Sequence, residues 1–552
     1  MASAVASPLA LGVLAHQAIC RIETIDFDAK PWRLVGVCLA ALASLLSYNL
    51  SLAQAGALSA LAQTALTAAL FNTGFFASLA VYRLYFHRLR KFPGPKLAAL
   101  SQFYAMGLAA KDMKLMEEVQ KLHKEHGDFV RIGPRYLSIN RAEAIPLVYG
   151  PPVRCLKGAW YSQTGGKLEN CSLNQTRDPE AHRARRRAWD RAFSMKALAS
   201  YEPRVGKKCD KLIEQLYARK DEVIDIQKWA SFFAFDVMGD VGLGKEFGTL
   251  DAGEDHPAIT AVHDAMYSVG LMTPVPWLIS LLTAIPGAAS AIVDFQAYCA
   301  SAVDEKEKTL DKDTEPSDIL AWILKAKYEN DRSAPPSTQA LHEDSRLIIA
   351  AGSDTTLAAL TNLTYLLCRH PAAQRTLTAA LATACPRGAA DWNYDAISRL
   401  PYLDAVINET LRLRPPAPAA MPRFTPADGL QVGDTWVPGN VTVAVPPWTL
   451  MRDERWFAEP EAFRPERWMG DEGVSAESGG FMPFSRGPAN CAGKNFAKME
   501  LRMVVARLWM EFEFELVGDE TAAAFEGGQM DTVSLTVPGL NVRVKPLRGR
   551  GG

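Results

Sequence analysis

Phe484-Ser485-Arg486-Gly487-Pro488-Ala489-Asn490-Cys491-Ala492-Gly493 is the stretch on which the reading of this chain turns. A cysteine stands in a loop rich in glycine and proline, and a helical pattern runs from Asn495 to Met510 directly after it. That placement aims backbone N–H groups and the positive end of a helix at the sulfur, which favours a thiolate. A thiolate so held serves as a nucleophile or as a ligand to iron. A lone cysteine in such a loop also fits an inert small residue, so the loop needs support from elsewhere. The chain has 9 cysteines, odd in number, scattered and without CxxC spacing, and those other than Cys491 read as inert.

Support comes from three upstream segments. Ala351-Gly352-Ser353-Asp354-Thr355-Thr356 lies inside the apolar helical run Leu347–Leu366. Glycine weakens a helix by about 1 kcal/mol relative to alanine, and neighbouring hydroxyls bond backbone carbonyls and loosen the turn. A groove there lets Asp354 and Thr355, with water, deliver protons to bound dioxygen; a mildly kinked core helix is the plainer reading. Glu409-Thr410-Leu411-Arg412 sets an acid and a base at i and i+3 on one helical face. Pro465-Glu466-Arg467-Trp468 adds a further cation in an irregular, proline-containing stretch. Each of these alone is commonplace.

Together, in this order and spacing, the four segments resemble the cytochrome P-450 superfamily of haem-thiolate monooxygenases, over roughly Phe92 to Pro546. The resemblance implies an α+β fold, mainly α, with small β-sheets. It implies heme b with Cys491 as the axial, metal-binding thiolate, contacted by Phe484 and Gly487 of the same loop. Glu409, Arg412 and Arg467 become a structural triad that locks that loop, and Asp354 and Thr355 the catalytic pair for oxygen activation. His182, Arg186 and Arg423 stand where the family holds the haem propionates. Three departures matter: Ala489 replaces an arginine usual two residues before the cysteine, with Arg486 nearby; Trp468 replaces phenylalanine; and His182 replaces tryptophan in a Trp-x-x-x-Arg pattern.

The resemblance further implies electrons from NADPH through a separate reductase, with cytochrome b5 as a possible second donor, since no GxGxxG at a strand-to-helix turn marks a flavin or nicotinamide domain. Arg183, Arg185 and Arg187, with Lys494, Lys498 and Arg502, read either as a solvated face or as a cationic docking surface for that partner. The intact Asp354-Thr355 argues for oxygen activation over a reductase-independent isomerase or dehydratase, or over a haem-binding sensor without turnover. The Ala489-Asn490 form of the loop and the multi-span N-terminus look fungal. A small hydrophobic substrate in terpenoid, polyketide or indole-alkaloid tailoring is the leading expectation; a fatty acid or xenobiotic is the alternative.

Composition agrees with an enzyme-sized body. The 552 residues are 48% hydrophobic and carry 60 Lys plus Arg against 61 Asp plus Glu, which excludes a disordered chain and argues against a nucleic-acid partner. From Leu34 to Tyr82 there is no Asp, Glu, Lys, Arg or His. As helix this run would extend about 70 Å, against about 30 Å for one bilayer crossing. Two spans, Leu34–Leu50 and Leu61–Tyr82, with Ser51, Gln54 and Ser59 near the turn, are expected; Pro8–Cys20 is apolar but short. Arg83, His87, Arg88, Arg90 and Lys91 follow, so the remainder faces the cytosol by the positive-inside rule, with the endoplasmic reticulum as the expected membrane. Residues 1–91 thus read as a membrane anchor and 92–552 as the haem-binding body. Within the body, two strands flank a Gly-Pro turn in Phe129–Ile139. Helix dominates Ala181–Leu413 with breaks near 273–276, 333–337 and 385–392, and Val441–Val445 and Leu540–Val544 read as strands.

Overall fold

The computed structural model describes residues 2–20, 31–52, 56–162, 168–283, 285–419, 421–470 and 479–547. Its centre is one helix, Thr338–Arg369, started by the Ser337 hydroxyl accepting the Ala340 N–H at 3.1 Å. From Leu357 to Leu367 every residue of it is buried, including Thr361, Asn362 and Thr364. The two threonines and the asparagine close their polar groups onto carbonyls one turn back, so an all-round buried helix leaves those polar side chains bonded. Against it pack helices Ile226–Val237, Ser290–Thr309, Pro401–Leu413 and Lys494–Glu511.

The sheets lie around this helical mass. One has four strands in the order Phe129–Gly133, Tyr136–Ile139, Thr442–Ala444, Arg423–Phe424, with only the middle pair parallel. Asn541–Pro546 runs antiparallel between Val223–Asp225 and Phe512–Leu516. Hairpins Leu430–Val432/Thr435–Val437 and Met530–Thr532/Ser534–Thr536 complete the β structure. The mainly helical α+β expectation holds, as do both predicted late strands and the three predicted helix breaks. The strands Val223–Asp225 and Phe512–Leu516 were not anticipated; each directly adjoins a helix whose pattern masks so short an element.

At the N-terminus, Pro31–Leu52 is a helix, and Ala57–Val81 continues as a π turn through Phe86. Both are long and apolar enough to cross a membrane, and few of their residues are buried. The turn is tighter than expected: Ser51 and Ser59 lie inside the helices, and Gln54 is outside the described residues. Ala2–Cys20 is a third, shorter helix laid on Ala57–Val81. A Cβ on Gly12 would come within 2.1 Å of Phe71 O, and one on Gly74 within 2.1 Å of Leu9 O, so two glycines set that close crossing. Beyond the spans, Pro93-Gly94-Pro95 is tied to the first sheet: Arg131 N donates to Pro93 O at 2.8 Å, and Arg131 Nη1 donates to Arg83 O at 2.9 Å.

Two expectations need correction. The central helix runs unbroken through Gly352, where the sequence suggested a loosened turn. A Cβ there would lie 2.4 Å from Met238 Sδ, so the glycine makes room for a neighbouring helix. Arg185, read as part of a basic surface, is buried and bonded to Asp344 at 2.8 Å, Thr176 Oγ1 at 2.7 Å and Cys171 O at 2.7 Å.

Candidate active site

The cysteine loop is shaped by backbone constraints before any side chain acts. Gly487 has φ +72°, and a Cβ there would meet Tyr149 O at 1.9 Å, so only glycine fits. Asn490 N donates to Gly487 O at 3.1 Å and Cys491 N to Phe484 O at 3.0 Å, closing the loop on itself. Helix Lys494–Glu511 begins three residues past the sulfur-bearing residue. Cys491 is exposed, while Cys155, Cys171, Cys209, Cys299 and Cys385 are buried. Burial pushes the thiol up, opposed by the Gly493 N–H and the charges of Arg186 and Lys494.

Arg186 reaches this loop from helix Pro179–Ala192, which starts on an Asp178 cap with proline at its first position. Its guanidinium donates to Asn490 O at 2.9 Å, to Asn490 Oδ1 at 3.2 Å and to Asp190 Oδ1 at 2.8 Å. Its visible role is thus to clamp the residue before the cysteine. One turn earlier His182 is buried and pushed down to about 3, first by desolvation and then by Lys157, Arg186, Arg185 and Arg423. Arg423 is buried against the rings of Tyr149 and Tyr161 and donates to Tyr161 Oη and Pro422 O. Lys157, which sequence reasoning missed, is buried too, lowered to about 7 by desolvation and by Arg423, and bonded to Asn174 O at 2.6 Å.

Among the described residues no carboxylate pairs with Lys157, His182 or Arg423. Lys157 and His182 are held toward their neutral forms by burial and neighbouring cations, and the three residues together leave donors open to an anion from outside the chain. A haem brings two carboxylates, so these three residues fit its propionates, as the open sulfur of Cys491 fits its iron. Arg486 is directed to Phe481 O at 3.1 Å, and Ala489 offers no donor side chain.

Behind the loop lies a cluster of the opposite kind. Glu409, Arg412 and Arg467 are fully buried. Glu409 accepts from Arg412 Nε and Nη2 at 2.9 Å each, from Arg467 Nε at 3.0 Å and from Arg464 N at 2.9 Å. Trp468 Nε1 donates to it as well, at 2.9 Å. The phenylalanine-to-tryptophan departure is thus not merely conservative; it adds a donor. Arg412 further bonds Met451, Pro460 and Ala462 carbonyls, and Arg467 bonds those of Ala458 and Glu459. Burial alone would raise the Glu409 carboxyl, but these partners hold it below its ordinary value. Trp468 packs against Phe481 with ring centroids 4.6 Å apart and planes tilted by 57°, and the Phe481 carbonyl takes Arg486, so the lock is mechanically joined to the cysteine loop.

On the central helix Ala351 is exposed and Thr355 half-buried, although this is the middle of the protein. Thr355 Oγ1 donates to Ala351 O at 2.8 Å. Asp354 is buried with Oδ1 unbonded, 3.9 Å from His263 Nε2, and burial pushes it up to about 7. Thr355 thus borders an opening in the core, with Asp354 buried beside it. Glu500, also missed, takes a 2.9 Å hydrogen bond from Thr356 and is pushed up to about 8 by burial.

Comparison with known proteins places this geometry. The cytochrome P450 family model matches residues 93–542. Cytochrome P450 monooxygenase FCK2 of Fusarium pseudograminearum is 37% identical over 471 residues, covering 85% of this chain and 84% of that protein. Tryprostatin B 6-hydroxylase of Aspergillus fumigatus is 36% identical over 447 residues, 81% of this chain and 78% of its own length. Cytochrome P450 monooxygenase sthD of Phaeosphaeria nodorum is 37% identical over 453 residues, 81% of this chain and 92% of its own. The matched span contains the cysteine loop, the glutamate–arginine lock and the acid–hydroxyl pair of the central helix, and on that match the chain belongs to the cytochrome P450 family, as an oxidoreductase of the fungal monooxygenase type.

Proposed function

We propose that this protein is an NADPH- and O2-dependent hydroxylase of a small hydrophobic product of fungal secondary metabolism, anchored in the endoplasmic reticulum membrane. Residues 1–91 serve as anchor and 92–552 as the cytosol-facing catalytic body. The observation that carries the reading is the pairing of an exposed Cys491 with three buried basic residues, Lys157, His182 and Arg423, that meet no carboxylate among the described residues. Two relatives named tryprostatin B 6-hydroxylase favour an alkaloid-type substrate over terpenoid, polyketide, fatty-acid or xenobiotic ones.

Each residue then has a task. Cys491 would ligate the haem iron, held in place by Arg186 through Asn490, with Phe484 and Gly487 shaping the loop around it. Lys157, His182 and Arg423 would hold the propionates. When bound, the haem supplies the metal charge that deprotonates the sulfur and the centre at which dioxygen is activated. Asp354, near-neutral in its proton affinity, gives and regains a proton at Oδ1, and the Thr355 hydroxyl positions the water that carries it. The Glu409 lock keeps the loop in register. Exposed Arg183 and Arg187, with half-buried Lys494 and Lys498, form the docking face for an NADPH-cytochrome P450 reductase, with cytochrome b5 as second donor. Arg502 contributes less, being bonded to Asp404 at 2.6 and 2.7 Å.

Expression with a fungal reductase, followed by mass spectrometry for a product heavier by one oxygen, tests the activity. NADPH-dependent formation of that product supports it. Reductase-independent turnover would favour an isomerase or dehydratase instead.

A further inference from the structure

His263 stands on helix Pro257–Met272, with Val262 and Ala265 beside it buried and its own side chain 34% open. Its Nε2 lies 3.9 Å from Asp354 Oδ1 on the central helix. That oxygen is buried and has no hydrogen-bond partner among the described residues. Among them no other ion-pairing group reaches Asp354, and burial is the whole cause of its raised proton affinity. The carboxyl therefore has one ionisable neighbour, and that neighbour is a side chain water can reach.

At 3.9 Å the pair stands about 1 Å beyond hydrogen-bond length. Rotation about the side-chain bonds closes such a gap, and hydrogen bonds that serve catalysis are often long until the site is filled. An unmet buried oxygen is costly, which favours closing. The proton affinities of the two groups suit a transfer between them. An imidazole ordinarily holds a proton more tightly than a carboxylate does. Here burial lowers His263, opposed by the charges of Asp255 and Asp264, and pushes Asp354 up to about 7, so the order is reversed. A proton on the imidazole runs downhill to the carboxylate.

We propose that His263 is a positioning residue for Asp354, whose Oδ1 it holds through Nε2 and supplies with protons from water at its open side. When Asp354 has given its proton away, Nδ1 takes one from water as the Nε2 proton moves to Oδ1. The neutral ring then resets its tautomer by exchange with water. This rests on the monooxygenase reading, in which Asp354 must be reprotonated in each turnover. Bulk protons thereby reach a carboxyl that is itself shut off from solvent.

The test is infrared spectroscopy of the purified full-length, haem-loaded protein in an ester-free detergent at pH 6, where Asp354 is mostly the acid. The carboxylic-acid C=O band that is lost in Asp354→Asn assigns the group. In the wild type this band is expected at the low, hydrogen-bonded wavenumber, and on transfer to D2O its deuterium shift should be complete within the mixing time. His263→Leu should move the band to the free-acid position and slow the exchange at least about tenfold. His263→Gln can still donate to Oδ1 but cannot relay, so it should keep the bonded position and lose the fast exchange. A band unmoved in His263→Leu, or exchange as fast in the variants as in the wild type, overturns the proposal. If His263→Leu does not fold, the other two decide: a free-acid band in the wild type, or fast exchange in His263→Gln, overturns it, and the opposite results support it. The exchange needs no turnover, and a thiolate-type carbon-monoxide spectrum of the same wild-type sample separates failure of this inference from failure of the haem reading.

Discussion

The Glu409 cluster and the recess beside Cys491 are both buried and both rich in charge, yet they are built on opposite rules. In the first, one carboxylate meets two guanidiniums, an indole and an amide, and the remaining guanidinium protons go to loop carbonyls. In the second, Lys157, His182 and Arg423 face no carboxylate among the described residues, Asp354 keeps an unbonded oxygen, and Cys491 stands open. A closed account of partners marks a structural lock, and an open one marks a place prepared for something the chain does not itself supply.

The strongest way to break this contrast is to open the closed cluster. Glu409→Ala strands two buried guanidiniums and should cost about 3–5 kcal/mol, seen as a lost or sharply lowered unfolding midpoint together with poor haem retention. Because the Glu409 carboxyl is held below its ordinary value, its contribution is complete above about pH 4.3 and is lost as pH falls through the folded-state value. Survival of Glu409→Ala with normal stability would deny the lock.

Asp354 should behave in the reverse sense. Asp354→Asn is expected to cut NADPH-driven product formation about 10- to 100-fold while the reduced carbon-monoxide complex persists. Its acid is raised, so the folded state binds the extra proton and loses relative stability as pH climbs toward about 7. Wild-type turnover should accordingly fall above that pH, and Asp354→Asn should raise the unfolding midpoint at pH 8. An unchanged pH profile in the variant would remove Asp354 from proton delivery.

The smallest effect sharpens the contrast from the other side. Lys157→Met removes a buried basic group that has no carboxylate partner among the described residues, so the haem-free protein should be no less stable, while haem release should quicken about tenfold. Thermal unfolding of the haem-free form and haem transfer to apomyoglobin measure the two halves. A variant that loses stability but retains haem would place Lys157 with the locks.

What sequence made legible follows from range. The cysteine loop, Glu409 with Arg412, and Asp354 with Thr355 are local patterns whose meaning comes from order along the chain, and the structure keeps each on its expected element. Lys157 and Glu500 were invisible because a single charged residue carries no pattern; burial against distant segments gives each its character. Arg185 misled for the same reason, since a basic run looks solvated until Asp344, far along the chain, closes on it. Gly352 reads as a weak point in a helix, whereas Met238 is what requires it. Trp468 looked like a bulkier phenylalanine until its N–H found Glu409.

The carbon-monoxide difference spectrum of reduced membranes bearing the wild type and Cys491→Ala tests the central assignment most directly. The wild type should show the thiolate-type Soret band and Cys491→Ala should lose it. Persistence of that band in the variant would mean that another residue ligates the iron.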